Sequence, residues 1–375
     1  MFMINQTNIS LLKLRSLPIF NDLSSMSRVT GFSEQLLYYY AISDDAKKYT
    51  IFEIPKKDSC NTRKIYAPNY ALKILQRWIL ENILYKIECS EYAFAFKRDM
   101  GSPLKKNALV HKEHVFLLEM DLENFFHSIK RQRIVYLFSN LGYNVPISNW
   151  LANICTYEDI LPQGSVTAPY LSNLVCLQLD KRIAKYCSKR DIVYSRYADD
   201  ITFSCSNKAV IKSIYGTIKK IIESEHFTIN QKKTRFIGKS SRKSVTGVII
   251  DNDCIKAPKE YKRLVRCLIH RAIISGDYSN INRIRGYIAY ISSIEDDYMQ
   301  KVVKYINTFK TKRDVIFLDS TVEMFNANIF LPGVDQISQI RMTMEEEDNF
   351  GDYVTERLEF LKKRHMKVPP ELGKL

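Results

Sequence analysis

The sequence predicts an α+β fold built on an antiparallel sheet, and three observations predict it. Residues 192–204 are apolar and β-branched on both sides of the polar break Tyr197-Ala198-Asp199-Asp200, the pattern of a tight β-hairpin. Residues 115–121 form a second apolar run with strand character, and it ends on an acid, Asp121. Apolar residues then recur at helical spacing, as at Ile211, Ile214, Ile218, Ile221 and Ile222, which predicts an amphipathic helix covering the sheet.

The hairpin holds two carboxylates at its tip, in a crowded pose where cations relieve the repulsion. Magnesium takes oxygen ligands, usually a few carboxylates with phosphate, so Asp199 and Asp200 form half of a metal site. Taken alone, such a pair is more often a solvated turn. Asp121 supplies the other half. A carboxylate ending a buried strand is costly to desolvate unless a cation meets it, although an acid there can also cap the next helix. Together the three acids would form a cup for divalent ions, able to activate a 3′-hydroxyl and steady a leaving pyrophosphate.

Composition bounds the partners. The chain has 375 residues, 46% hydrophobic and 12% aromatic, which is ample for a folded core and excludes global disorder. That length allows one large domain with subdomains, or about two or three domains. A formal charge of +15 points to a polyanionic partner, nucleic acid first and an anionic membrane surface second. The N-terminus lacks the basic region and long apolar core of a signal peptide, and no run is apolar enough to span a bilayer. The eight cysteines are scattered without a Cys-x-x-Cys pair, which suits reduced thiols and gives no zinc site. The expected location is cytoplasmic, with no membrane partner.

Taken in order, residues 1–48 read as helical, with Ser33 capping the second helix. Residues 26–36 could pass for a helix-turn-helix, although short helix pairs usually just pack. Residues 49–55 and 63–68 read as two strands joined by a polar turn, and a helix follows over 72–84. Asn107 and His111 stand one turn apart if their stretch is helical. Helix signals resume over 130–140 and stop at Gly142, and Pro169 opens a helix over 170–182. Residues 258–271 form the clearest basic helix, with Lys259, Lys262, Arg263, Arg266, His270 and Arg271 near three- and four-residue steps. A solvated basic face is the default reading of such a run. From residue 314 onward there is an acidic cluster at 345–348 and a basic one at 362–367, with no enzymatic constellation.

Ordered motifs carry a resemblance to a known family. The Tyr197–Asp200 hairpin, the Asp121 strand with Phe125 and Phe126, and residues 161–169 (Leu-Pro-Gln-Gly-Ser-Val-Thr-Ala-Pro) resemble the palm motifs of reverse transcriptases. Asn107-Ala-Leu-Val-His111 and Val245-Thr246-Gly247 match the Asn-Ala-x-x-His and Val-Thr-Gly signatures of the bacterial retron branch. The resemblance runs from about Arg15 to about Thr311, in the family's order. It implies a right-hand polymerase: fingers over 49–114 with further elements around 130–185, palm over 115–250 and thumb over 251–313. An N-terminal helical segment, 1–48, would precede them and a C-terminal extension, 314–375, would follow.

The resemblance also implies roles residue by residue. Asp121, Asp199 and Asp200, with the backbone carbonyl of Leu122, would hold two Mg2+ ions, for which Mn2+ can substitute. Arg63 and Lys64 match the fingers positions that grip the incoming triphosphate, where a guanidinium forks and an ammonium acts as a point charge. An exposed basic turn is the other reading. Phe126 matches the residue whose ring collides with a ribose hydroxyl; in the alternative, Phe125 faces the sugar and Phe126 is core. At Gln163-Gly164 the glycine would let the backbone approach the nucleotide and the amide would offer polar contacts. Lys233 matches a lysine that could protonate the departing pyrophosphate, or it makes a structural salt bridge. Asn107, His111, Tyr197, Val245, Thr246 and Gly247 are expected around template and primer, His111 shaping that environment rather than reacting. The basic helix, with Lys259, Lys262, Arg263 and Arg266, would lie on the duplex backbone. Ala95 departs from the usual Gly of the family, and Ala168-Pro169 from the common Ser-Pro.

The implied partners are deoxynucleotides, a cognate structured noncoding RNA that is both template and primer, and its DNA product. A guanosine 2′-hydroxyl would prime synthesis, giving branched RNA–DNA (msDNA), and an effector protein encoded nearby would join it in antiphage defence. The nearest alternative is a group II intron or diversity-generating reverse transcriptase, although no maturase segment is evident. A scaffold that grips RNA and an effector, with synthesis incidental, is an alternative of a different class.

Overall fold

In the computed structural model the expected α+β architecture is organised by a four-stranded antiparallel sheet whose strands lie in the order Val193–Tyr197, Asp200–Cys205, Phe116–Asp121 and Arg235–Ile237. The structure describes residues 6–43, 47–55, 62–98, 100–251, 254–275 and 279–310. The expected C-terminal extension and its charged clusters lie outside the described residues. Three short helices come first: α1 (Ile9–Leu14), α2 (Leu23–Thr30) and α3 (Glu34–Ala41). Asp22 and Ser25 close a capping box on α2, and the Ser33 hydroxyl accepts from Leu36 N to start α3. The pair α2–α3 buries Met26, Leu37 and Tyr40 in the main core, so it packs as a short helix pair.

A separate hairpin follows, β1 (Tyr49–Pro55) with β2 (Thr62–Pro68), and then α4 (Tyr70–Asn82), capped by Asn69, and α5 (Pro103–Leu109). Strand β3 (Phe116–Asp121) enters the centre of the sheet. Helices α6 (Phe125–Ser128), α7 (Arg131–Leu141), α8 (Val145–Cys155), α9 (Ala168–Val175) and α10 (Leu177–Ser188) come next. Gly142 ends α7 in the left-handed conformation at φ 117, where adding a Cβ would press on the Asn8 carbonyl. The single helix expected over 170–182 is two, because the ladder loosens at Cys176 and restarts from its carbonyl.

Strands β4 (Val193–Tyr197) and β5 (Asp200–Cys205) form the expected hairpin. Helices α11 (Lys208–Ser213) and α12 (Tyr215–Ser224), parted at Ile214, replace the one amphipathic helix expected there, and Ile211, Ile214, Ile218 and Ile222 are all buried. Strand β6 (Arg235–Ile237) completes the sheet. A three-stranded sheet of β7 (Lys243–Val245), β8 (Val248–Asp251) and β9 (Cys254–Lys256) leads into α13 (Lys259–Ser275), α14 (Ile281–Ser292) and α15 (Tyr298–Lys310). These last helices share a second core that also takes in Ala108 of α5 and Leu117 of β3. The active-site strand β3 thus touches both cores. Among the described residues no helix is long and apolar enough to cross a membrane.

Candidate active site

Sheet register brings the three predicted acids together. Strand β3 runs against β5 with Asp121 opposite Asp200, and β4 pairs with β5 so that Tyr197 also faces Asp200. Ala198 and Asp199 make a two-residue turn, with Ala198 held at φ 59, a strained value for a residue with a Cβ. The Leu122 N–H donates to the Asp199 carbonyl at 3.0 Å, and Asn230 N donates to the Asp121 carbonyl at 2.8 Å. The end of β3 is therefore tied on one side to the acidic turn and on the other to the segment that carries Lys233.

The electrostatics are those of unrelieved crowding. Burial, then the charges of Asp199 and Asp121, push the Asp200 carboxyl up to about 7, although the residue keeps part of its surface in solvent. Burial raises Asp199 as well. The Lys233 ammonium stands 2.8 Å from one Asp121 oxygen, and that bond raises its own pKa. Lys233 thus makes the salt bridge that was one of its two sequence readings. Among the described residues no three His, Cys, Asp or Glu side chains close into a ready-made metal cage. The acids nevertheless fit a hard divalent cation: all donors are oxygens, their mutual repulsion asks for positive charge, and a lysine ammonium already answers that demand at Asp121.

Around this point stand the expected nucleotide residues. Phe125 is buried against Phe227, while Phe126 is half-buried with its ring 5.3 Å from that of Phe125. Of the two rings, Phe126 is therefore the more accessible. Arg63 and Lys64 are exposed on β2, and the Arg63 charge acts on Asp199. Gln163 uses its carbonyl to accept from Tyr66 N at 2.8 Å. Gly164, at φ 118, has no room for a side chain, because a Cβ would sit 2.6 Å from the Tyr66 carbonyl. The close approach shown at Gly164 is thus to β2, which fastens the hairpin carrying Arg63 to the loop carrying Gln163.

The expected template-primer residues divide by burial. Asn107, His111 and Val245 are buried, so any part they take in shaping that environment is indirect. His111 is clamped between two hydroxyls, Ser204 on Nδ1 and Ser195 on Nε2, both at 2.7 Å. Asn107 donates to the Thr246 hydroxyl at 3.3 Å. Thr246 and Gly247, at φ 48 and 81, make the tight turn between β7 and β8 that needs two left-handed residues. The two signature motifs therefore meet, and α5 joins the acidic hairpin to the second core. On α13, the half-buried Lys262 is engaged by the protein itself, its ammonium 2.6 Å from Glu295. Lys259, Arg263 and Arg266 are exposed.

The buried imidazole gives a pH prediction. Burial pushes His111 down to about 3 from an ordinary 6.5, with the His114 charge second. The unfolded chain then takes up this proton first, so stability falls as pH drops below about 6.5, by about 1.4 kcal/mol per unit, until about pH 3. Urea midpoints between pH 7.5 and 5 should fall more steeply for the natural protein than for His111→Gln. Parallel slopes would mean that the imidazole charges in the fold.

One cluster was not singled out from the sequence. Arg196, fully buried, gives Nε and Nη2 to the two Asp180 oxygens at 2.8 and 2.7 Å. Its Nη1 donates to Asn173 Oδ1 at 3.1 Å and to the Ala198 carbonyl at 3.2 Å, in the acidic turn itself. Tyr194 donates its hydroxyl to Asp180 at 2.7 Å. The available signal was an acid on the apolar face of α10, beside Leu179 and Ile183, which calls for a buried cation.

Comparison with known proteins agrees with this geometry. The family described as reverse transcriptase (RNA-dependent DNA polymerase) matches residues 54–250. The chain is 35% identical over 297 residues to the retron Ec86 reverse transcriptase of Escherichia coli, covering 79% of this chain and 92% of that one. It is 27% identical over 310 residues to the retron Mx65 reverse transcriptase of Myxococcus xanthus, covering 77% of this chain and 72% of that one.

Proposed function

The chain belongs to the retron reverse transcriptases, right-hand polymerases that make DNA on RNA, and from that premise we propose how its site works and what it copies. Asp121, Asp199 and Asp200, with the Leu122 carbonyl, hold two Mg2+ ions, which Mn2+ can replace. The observation that carries this reading is the register that sets Asp121 opposite Asp200, with Leu122 bonded to Asp199. When bound, the ions supply the positive charge that activates the attacking hydroxyl and steadies the leaving pyrophosphate. Arg63 and Lys64 hold the triphosphate, Gln163 and Gly164 frame the nucleotide, and Lys233 leaves Asp121 to meet the pyrophosphate. Phe126 closes the space beside C2′. The fingers comprise residues 49–114 with elements around 130–185, the palm 115–250 and the thumb 251–313. The thumb lays Lys259, Arg263 and Arg266 along the duplex backbone.

Ring removal at Phe126 should relax sugar choice. Phe126→Ala is expected to lower the preference for dGTP over GTP, as a ratio of kcat/KM, by about tenfold or more. An unchanged ratio would take Phe126 out of the sugar pocket.

The template is a structured noncoding RNA encoded beside the gene, primed from a guanosine 2′-hydroxyl to give branched RNA–DNA. An effector protein encoded nearby completes a defence system. The test is synthesis by the purified protein on that RNA with Mg2+ and labelled deoxynucleotides. Product that stays joined to RNA until debranched supports this reading. Extension from an added 3′ primer alone would discard the branched product and keep the polymerase. Tight RNA binding without synthesis would point to the scaffold.

A further inference from the structure

The fingers loop holds a residue whose strain the proposed roles leave unexplained. Phe96 sits at φ 61, the left-handed region, where a bulky L side chain is strained. Its ring is 40% exposed, so burial does not account for that conformation. What the ring does touch is Phe126, with centroids 6.2 Å apart and planes at 50°.

The backbone around Phe96 is pinned from the acidic hairpin. Phe94 N donates to the Arg196 carbonyl and Arg196 N to the Tyr92 carbonyl, both at 2.8 Å. Asn173 Nδ2 donates to the Ala95 carbonyl at 2.8 Å, and its Oδ1 accepts from Arg196. Strand β4, which leads into the turn bearing Asp199 and Asp200, therefore also sets the position of Phe96. Phe126 has less support of its own. It stands on α6, a four-residue helix, half-buried, with Phe125 on one side. A phenyl ring so placed needs a second wall if it is to block a hydroxyl rather than swing away from it.

We propose that Phe96 is a positioning residue for sugar selection: its ring backs Phe126 and holds it against the C2′ edge of the incoming nucleotide. The proposal rests on the assignment of Phe126 to the sugar. It explains why an aromatic side chain occupies a strained, exposed position. It also links sugar choice to the catalytic turn through Arg196 and Asn173.

The test is the ratio of kcat/KM for dGTP over GTP in the full chain, with Phe96→Ala, Phe126→Ala, the double variant, Phe96→Gly and Phe96→Tyr. Phe96→Gly removes the ring while relieving the backbone. Phe96→Ala and Phe96→Gly are expected to lower the ratio about threefold or more, and Phe96→Tyr to keep it. In the Phe126→Ala background, Phe96→Ala should change nothing further, because it acts through the missing ring. A ratio relaxed by Phe126→Ala but untouched by Phe96→Ala overturns the proposal and leaves the sugar assignment standing. The same factor in both backgrounds also overturns it, since Phe96 would then act alone. If Phe126→Ala leaves the ratio unchanged, the sugar assignment fails and the proposal with it.

Discussion

Asp121→Asn is expected to abolish nucleotide addition, by roughly a thousandfold or more, while RNA binding stays within about twofold. The carboxylate is the one acid of the three that ends a buried strand, and only 6% of the residue is exposed. Asparagine keeps the shape and removes the charge that would bind a cation. Its loss also frees Lys233, but that side chain is 62% exposed and returns to solvent at little cost. Asp200→Asn should be equally inactive and, in metal-free buffer, should melt at a higher temperature than the natural protein. The reason is that Asp200 is crowded by the charges of Asp199 and Asp121. Single-nucleotide incorporation and a thermal melt with and without Mg2+ check both statements. Activity within tenfold of wild type in Asp121→Asn would remove that acid from the metal site.

The second large effect lies under the turn. Arg196→Met leaves Asp180 buried and charged without its partner, which should cost about 3–5 kcal/mol and lower the melting temperature by roughly 10 °C. Asp180→Leu combined with Arg196→Met removes both charges and is expected to recover most of that stability, because an apolar pair can replace a buried ion pair. It should not recover synthesis. The Ala198 carbonyl and Asn173 Oδ1 each lose the Arg196 donor, and a turn held at φ 59 no longer aims Asp199. Incorporation measured well below the melting temperature separates the two effects. Full activity in the paired variant would reduce Arg196 to a structural role.

What could be read from the chain was what local pattern encodes. Apolar runs ending at a polar break marked β3 and the β4–β5 hairpin, Ser33 marked the start of α3, and Gly142 marked the end of α7. The three acids were legible because each sits where an apolar run breaks. The pairing of Phe125 with Phe227, which frees Phe126, was not legible, since two adjacent aromatic residues look alike in sequence. Nor was the ion pair of Lys262, because a lysine on a basic helix carries no mark of a glutamate in the loop between α14 and α15.

The sequence by itself determined the α+β class, the strands that carry the acids, the ordered motifs of the family and the excess positive charge. Tertiary structure alone decided that Asp121 faces Asp200, that His111 bridges Ser195 and Ser204, that Gly164 lies against Tyr66, and that Arg196 supports the turn. The division has one physical cause. Torsional preference and burial are properties of a residue and its near neighbours, whereas a buried polar group must find its partner wherever sheet register and helix packing put one.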